Sequence, residues 1–100
     1  PREIILIWNN SPLYRHPLSV AISDDGGRAW SRPKNVATAP DGVGTPASGF
    51  QVSYPGITQD RDGVFVAVWQ HHIPGQAREI RWARFNRTWV LEKPDNRVKP

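Results

Sequence analysis

Along the chain, short runs rich in Val, Ile, Trp and Phe alternate with clusters of Gly, Pro, Asn and Asp. That is the pattern of short strands closed by turn chemistry. It predicts seven strands: Ile4 to Trp8, Leu18 to Ser23, Arg32 to Ala37, Val52 to Gln59, Val64 to Trp69, Glu79 to Phe85 and Thr88 to Leu91. No segment sustains a helical apolar period, free of Pro and Gly, over the length of an ordinary helix, so the chain reads as all-β. Asp62-Gly63 is a hairpin signal, since both residues tolerate the positive φ of a tight two-residue turn. Ala39 to Gly49, rich in Pro, Gly and small polar residues, reads as one long loop, and Lys93 to Pro100 as a frayed tail.

A weak repeat is visible. Ile4 to Trp8, a polar loop and Leu18 to Ile22 are echoed by Val64 to Trp69, a polar loop and Ile80 to Phe85, at an offset of about sixty residues. Repetition of a short antiparallel meander predicts radially arranged blades of about four strands, with a sandwich as the alternative. On this reading residues 1–38 form an incomplete blade, 39–50 a connecting loop, 51–92 the next blade and 93–100 the tail. Two apolar blade faces would then lack a cover, so the chain is expected to form a homo-oligomer or to belong to a larger parent chain.

Composition narrows the field. With 38% hydrophobic and 22% charged residues in 100, the chain has the make-up of one compact globular unit. No run approaches the roughly twenty apolar residues of a membrane span, and no basic-then-apolar leader opens the chain, so no membrane partner is expected. The absence of cysteine excludes disulfides and thiolate metal sites and leaves the compartment open. The formal charge of +4 comes from basic residues scattered among acids, without a basic and aromatic stripe, so no nucleic-acid partner is expected. His71 and His72 would point to opposite faces of a strand; they are expected as surface or rim residues and not as joint metal ligands. Asn86-Arg87-Thr88 fits a glycosylation sequon. No metal or other cofactor is expected.

Ser23-Asp24-Asp25-Gly26-Gly27-Arg28-Ala29-Trp30 matches the Asp-box pattern S-x-D-x-G-x-x-W, with Ala29 where Thr is usual. The spacing describes a turn in which Asp25 accepts backbone N–H groups, Gly27 supplies permissive backbone angles and Trp30 folds back as a buried apolar plug. In families that carry this pattern its role is structural, so the resemblance identifies architecture and not chemistry. In a meander successive turns alternate between the two ends of a blade, so the loop holding Arg15 lies opposite the Asp-box turn. Tyr54, opening the next blade, returns to the Arg15 end, and Asp62-Gly63 falls at the Asp-box end.

The order of these features resembles the C-terminal third of the bacterial exo-α-sialidases, or neuraminidases, over roughly residues 4–91. An Arg precedes a strand and an Asp-box; a Tyr-led strand then ends in Asp-Gly, a β-branched strand follows, and a closing segment resembles Ala83-Arg84-Phe85-Asn86-Arg87-Thr88-Trp89. The resemblance implies about two blades of a six-bladed Asp-box propeller, and an acidic sugar or glycoconjugate as partner. It implies retaining cleavage of terminal sialic acid, or a related sugar, by a Tyr nucleophile beside an arginine clamp. Sialidases depart in this way from the two-carboxylate rule of glycosidases. Carried over, Tyr54 resembles the nucleophile and Arg15 the last arginine of the clamp. The other arginines, the Glu base and the acid Asp lie earlier in the family's sequence, so this chain is expected to be inactive alone; the resemblance is compatible with a secreted or periplasmic parent and leaves the localisation open. Trp69-Gln70 stands where the family often has Tyr-Glu. The alternative is a non-catalytic propeller module binding carbohydrate or protein.

Overall fold

The computed structural model describes residues 2–40 and 49–92. Six strands and one short helix follow in order: β1 (Ile4–Asn9), β2 (Leu18–Ser23), β3 (Lys34–Ala37), β4 (Gln51–Gln59), β5 (Phe65–His72), β6 (Glu79–Phe85) and α1 (Arg87–Leu91). They form two three-stranded antiparallel sheets, ordered β1-β2-β3 and β4-β5-β6. The fold is therefore all-β. The frayed tail expected at 93–100 and most of the long loop lie outside the described residues.

The pleat decides which residues meet. In the first sheet Ile5 pairs with Ile22 and Ile7 with Val20, while Leu6 pairs with Ala21 and Trp8 with Ser19 on the opposite face. In the second, Phe65 pairs with Phe85 and Ala67 with Ala83, and Val68 pairs with Trp82 on the opposite face. The two inner faces stack on each other. Leu18, Val20 and Ile22 of β2 join Val52, Phe65, Ala67, Trp69 and Phe85 in one buried cluster. Phe65 and Phe85 lie in contact at 5.8 Å between ring centroids.

The segment expected as a seventh strand, Thr88 to Leu91, is instead part of α1. Asn86, in extended conformation, accepts from the backbone N–H of Trp89 through its side chain at 2.9 Å and from that of Val90 through its carbonyl at 3.2 Å. This N-cap turns a short apolar run into one helical turn. Val90 then enters the core at 2% exposure, a burial worth about 2 kcal/mol. Trp89 packs against Phe85 and lies under the Lys34 ammonium, 4.6 Å from the ring centre.

The turn between β4 and β5 also differs from the expected two-residue hairpin. Asp60 accepts from the backbone N–H groups of Asp62 and Val64 through its carboxylate, at 2.8 and 3.0 Å, and from that of Gly63 through its carbonyl at 3.1 Å. Gly63 takes the positive φ, +82°, and Asp62 does not. Asp60 therefore organises a longer turn, and only the glycine of the Asp-Gly pair meets a left-handed requirement.

Two clasps fix the sheets relative to each other. At one end the backbone of Val52 donates to the carbonyl of Arg15 and accepts from the Asn9 side-chain amide, each at 2.9 Å. At the other, Arg87, the first residue of α1, donates to Glu3 and forms a two-bonded pair with Asp24 at 2.8 and 2.6 Å. These bonds hold the guanidinium pKa above its ordinary value and that of Asp24 below the usual carboxylate range. Since Asp24 sits in the Asp-box turn, and Arg84 pairs with Asp60 at 3.7 Å, the Asp-box and the β4–β5 turn share one end. The β1–β2 loop, with Arg15, occupies the other.

Candidate active site at the Arg15 and Tyr54 end

β4 carries an irregularity at its centre. Ser53 pairs with Gln70 and Gly56 with Val68, so Tyr54 and Pro55 together face the single residue Trp69. An extra residue of this kind bends the strand and re-aims its side chains. Tyr54 absorbs the change with φ +54°, the only positive value at a non-glycine among the described residues. For a bulky residue this is a sparsely populated, strained conformation of the type that gathers at functional sites. Sequence reading placed Tyr54 at the start of its strand; it stands fourth, and the bulge is what turns it outward.

The consequence is an aromatic side chain 70% exposed to solvent, with a defined partner. Arg15 Nη1 donates to the Tyr54 hydroxyl at 3.0 Å, and the guanidinium carbon lies 5.2 Å from the ring centroid. Arg15 is held there by its own backbone, whose carbonyl accepts from Val52, two residues before Tyr54. The loop carrying it is shaped by Ser11 Oγ, which accepts from the backbone N–H groups of Leu13 and Tyr14 at 3.2 and 3.0 Å. The hydrogen bond from Arg15, then its charge, hold the Tyr54 phenol pKa below the ordinary value, and the charge of Arg78 adds to the effect. Among the described residues neither Arg15 nor Arg78 pairs with a carboxylate. Arg15 keeps further N–H donors for an incoming anion, because a guanidinium carries five.

Beside this pair lies a hollow of about 190 Å³, lined by Leu13, Tyr14, Arg15, His16, Phe50 and Gln51 among others. Three of its rings pack in sequence and lead on to a fourth behind them: Tyr14 stacks on His16 at 5.5 Å, His16 meets Phe50 at 5.7 Å, and Phe50 meets His71 edge-on at 5.2 Å. His71 is thus buried, at 7% exposure, and not a surface or rim residue. It follows Phe65, Ala67 and Trp69 on the inner face of β5, so strand alternation carries it inward. Burial, followed by the charge of Arg81, pushes its pKa down, with Glu79 opposing. The described residues hold no group of three or more His, Cys, Asp or Glu arranged for a metal ion.

The Asp-box at the far end has the geometry its spacing requires. The Ser23 hydroxyl donates to Asp25 Oδ1 at 2.8 Å and accepts from the backbone N–H of Gly27 at 2.8 Å. The same carboxylate oxygen accepts from the N–H groups of Arg28 and Ala29, both at 2.9 Å. The bonds from Ala29 and Ser23, in that order, hold the Asp25 pKa below the carboxylate range. Gly27 has φ +97°, which a side chain would strain. Trp30 Nε1 donates to the Gly27 carbonyl at 3.1 Å, but the ring is 42% exposed where a buried plug was expected. It lies along the outer face of the first sheet, beside Leu6, Trp8 and Pro33, and one side stays open.

No family model, curated protein or solved structure matches this chain. The site is therefore read from its own chemistry: a strained, exposed phenol of lowered pKa beside a cation that pairs with no carboxylate among the described residues. Three further features escaped sequence reading. Asn9 bridges the sheets, and nothing in its context signals that. The influence of Arg78 on Tyr54 depends on where the chain enters β6, the strand that Arg78 immediately precedes. Gln70 Nε2, Trp69 Nε1 and His72 Nδ1 are buried without hydrogen-bond partners, an outcome that follows from packing and not from residue type.

Proposed function

We propose that Tyr54 and Arg15 are the nucleophile and one carboxylate-binding arginine of a sialidase-type retaining glycosidase, and that the two sheets are adjoining blades of its propeller. The observation that carries the reading is the Arg15 to Tyr54 contact at 3.0 Å on a strained bulge. In the step we propose, the Tyr54 oxygen gives up its proton to a base and forms a bond to the anomeric carbon of an acidic sugar. The glycosidic C–O bond breaks, and the departing alcohol takes a proton from a general acid. Water then hydrolyses the glycosyl–tyrosine bond. The base, the acid and the remaining arginines would come from outside this chain. A phenol suits such a substrate because it approaches the sugar's carboxylate uncharged, where a carboxylate nucleophile would be repelled. Arginine suits the anion because its planar fork stays charged and pairs bidentately. Gln70, in the position where the family often has Glu, supports a second reading: a non-catalytic module that binds acidic carbohydrate through the same arginine.

The test is titration of the isotope-labelled chain with free sialic acid, followed by NMR at the Arg15 guanidinium and the Tyr54 ring, with a neutral hexose as control. Millimolar binding of the acid alone, abolished in Arg15→Ala, is expected. Equal response to both sugars, or no response at these residues, would overturn the reading.

A further inference from the structure

We infer that Asn9 is the positioning residue of this site: its side-chain amide joins the strand that carries Tyr54 to the loop that carries Arg15, and so sets the distance between the two. For the roles of Arg15 and Tyr54 the inference rests on the glycosidase reading. Its test uses no sugar, so either can fail without the other.

Asn9 ends β1, directly opposite Leu18, the first residue of β2. Here the chain leaves the first sheet for the Arg15 loop and returns from it. A primary amide carries two N–H donors, enough to serve two segments at once. Asn9 Nδ2 donates to the carbonyl of Val52 at 2.9 Å and to that of Pro17 at 3.4 Å. Val52 stands two residues before Tyr54, and Pro17 two residues after Arg15. One half-buried side chain therefore holds a flank of each functional residue.

Arg15 and Tyr54 belong to different sheets, so neither strand ladder fixes their separation. Among the described residues, the hydrogen bonds that cross between the sheets at this end are three. They are the Arg15 to Tyr54 contact, the bond from the Val52 N–H to the Arg15 carbonyl, and the bond from Asn9 to the Val52 carbonyl. The second joins backbone to backbone, which any pair of residues could do. The third depends on the Asn9 side chain. It also bears on the bulge: Arg15 and Asn9 hold β4 at Val52, and pairing with Val68 holds it again at Gly56. The surplus residue must project between those two fixed points, and Tyr54 lies in that interval at φ +54°.

Loss of the amide takes this donor from the Val52 carbonyl and lets the loop shift against β4. The bond from Arg15 to Tyr54, at 3.0 Å, tolerates little of this, since a movement of about half an ångström carries a donor to the limit of hydrogen bonding. That bond is the chief cause of the lowered Tyr54 pKa, so the phenol reports the separation.

The experiment follows Tyr54 through its ionisation by NMR of the ring-labelled chain, in which Tyr14 is the one other tyrosine. Asn9→Leu keeps the approximate size of the side chain and removes both donors. It should raise the Tyr54 pKa toward the ordinary phenol value, by an amount comparable to that of Arg15→Ala, while a thermal melt shows the chain folded. Arg87→Ala, which breaks the clasp at the opposite end, is the control: it should lower Tm and leave the Tyr54 titration unmoved. A Tyr54 titration unchanged in folded Asn9→Leu overturns the inference. So does an equal rise in Arg87→Ala, the mark of general loosening. Should Asn9→Leu unfold, Asn9→Ala replaces it, and the wild type supplies a second measurement. Its Asn9 side-chain amide protons should exchange with solvent about tenfold or more slowly than those of exposed Asn10. Equal exchange at the two residues overturns the inference as well.

Discussion

Ser23→Ala removes one oxygen from the Asp-box, and the structure allows the loss to be sized. Ser23 is fully buried, and its hydroxyl both donates to Asp25 and accepts from the Gly27 N–H. A hydrogen bond to a charged group contributes about 1.5–3 kcal/mol, and an ordinary one about 1 kcal/mol. The alanine variant should therefore lose about 3 kcal/mol, with a fall in Tm of roughly 12 to 24 °C for a domain of this size. Urea denaturation followed by tryptophan fluorescence at low protein concentration gives the first quantity, and calorimetry the second. The effect also carries a pH signature. Asp25 has a lowered pKa in the fold, so its stabilising contribution is present above the ordinary carboxylate pKa near 4 and is lost as pH falls through the depressed value. Ser23 is part of that depression, so the gap between wild type and variant should narrow in acid. A loss below about 1 kcal/mol at neutral pH, or a gap that widens in acid, would refute the role given to the Ser23 hydroxyl.

Three further outcomes are expected. Tyr54 should ionise below the ordinary phenol value in an ultraviolet pH titration, and Arg15→Ala should move it back up; a Tyr54 titration that Arg15→Ala leaves unchanged would contradict the contact. His71 has a lowered pKa in the fold, so stability should decline as pH falls below the unfolded value of about 6.5 and level off once the folded value is passed; His71→Phe should flatten that decline, and an unchanged slope would assign it to another group. The chain alone should show no turnover of a fluorogenic sialoside, because base, acid and further arginines must be positioned together with Tyr54 for the barrier to fall; robust hydrolysis by the purified chain would contradict the assignment of those groups elsewhere.

Strand positions were legible because apolar runs and turn residues alternate cleanly. Six of the expected segments coincide with β1 to β6 within a few residues. The seventh failed for a specific reason: Thr88 to Leu91 is too short for periodicity to separate strand from helix, and the deciding signal was Asn86, a good N-cap three residues before Trp89. Trp30 was misplaced because burial depends on what covers a face, which residue spacing does not report. His71 was misplaced because its neighbour His72 drew attention to pairing, while the alternation Phe65, Ala67, Trp69 already assigned it to the core side. The approach of Arg15 to Tyr54 was anticipated only as a shared end of the fold. The bulge that brings the hydroxyl to the guanidinium arises from register across β5, a non-local property that Tyr54-Pro55 hints at and does not determine.

The clasp at Val52 has a further consequence, for aggregation. β4 lies at the margin of its sheet, and an uncovered marginal strand offers its backbone as a template for foreign chains. Here both backbone groups of Val52 are occupied, by Arg15 and Asn9. Two residues later the strand kinks, and Pro55 has no N–H to offer. A growing fibril would find no continuous ladder along β4. Strand addition to this sheet is confined to β6, whose exposed margin carries charged side chains, Arg81 paired with Glu79 at 2.8 Å and Arg84 with Asp60 at 3.7 Å.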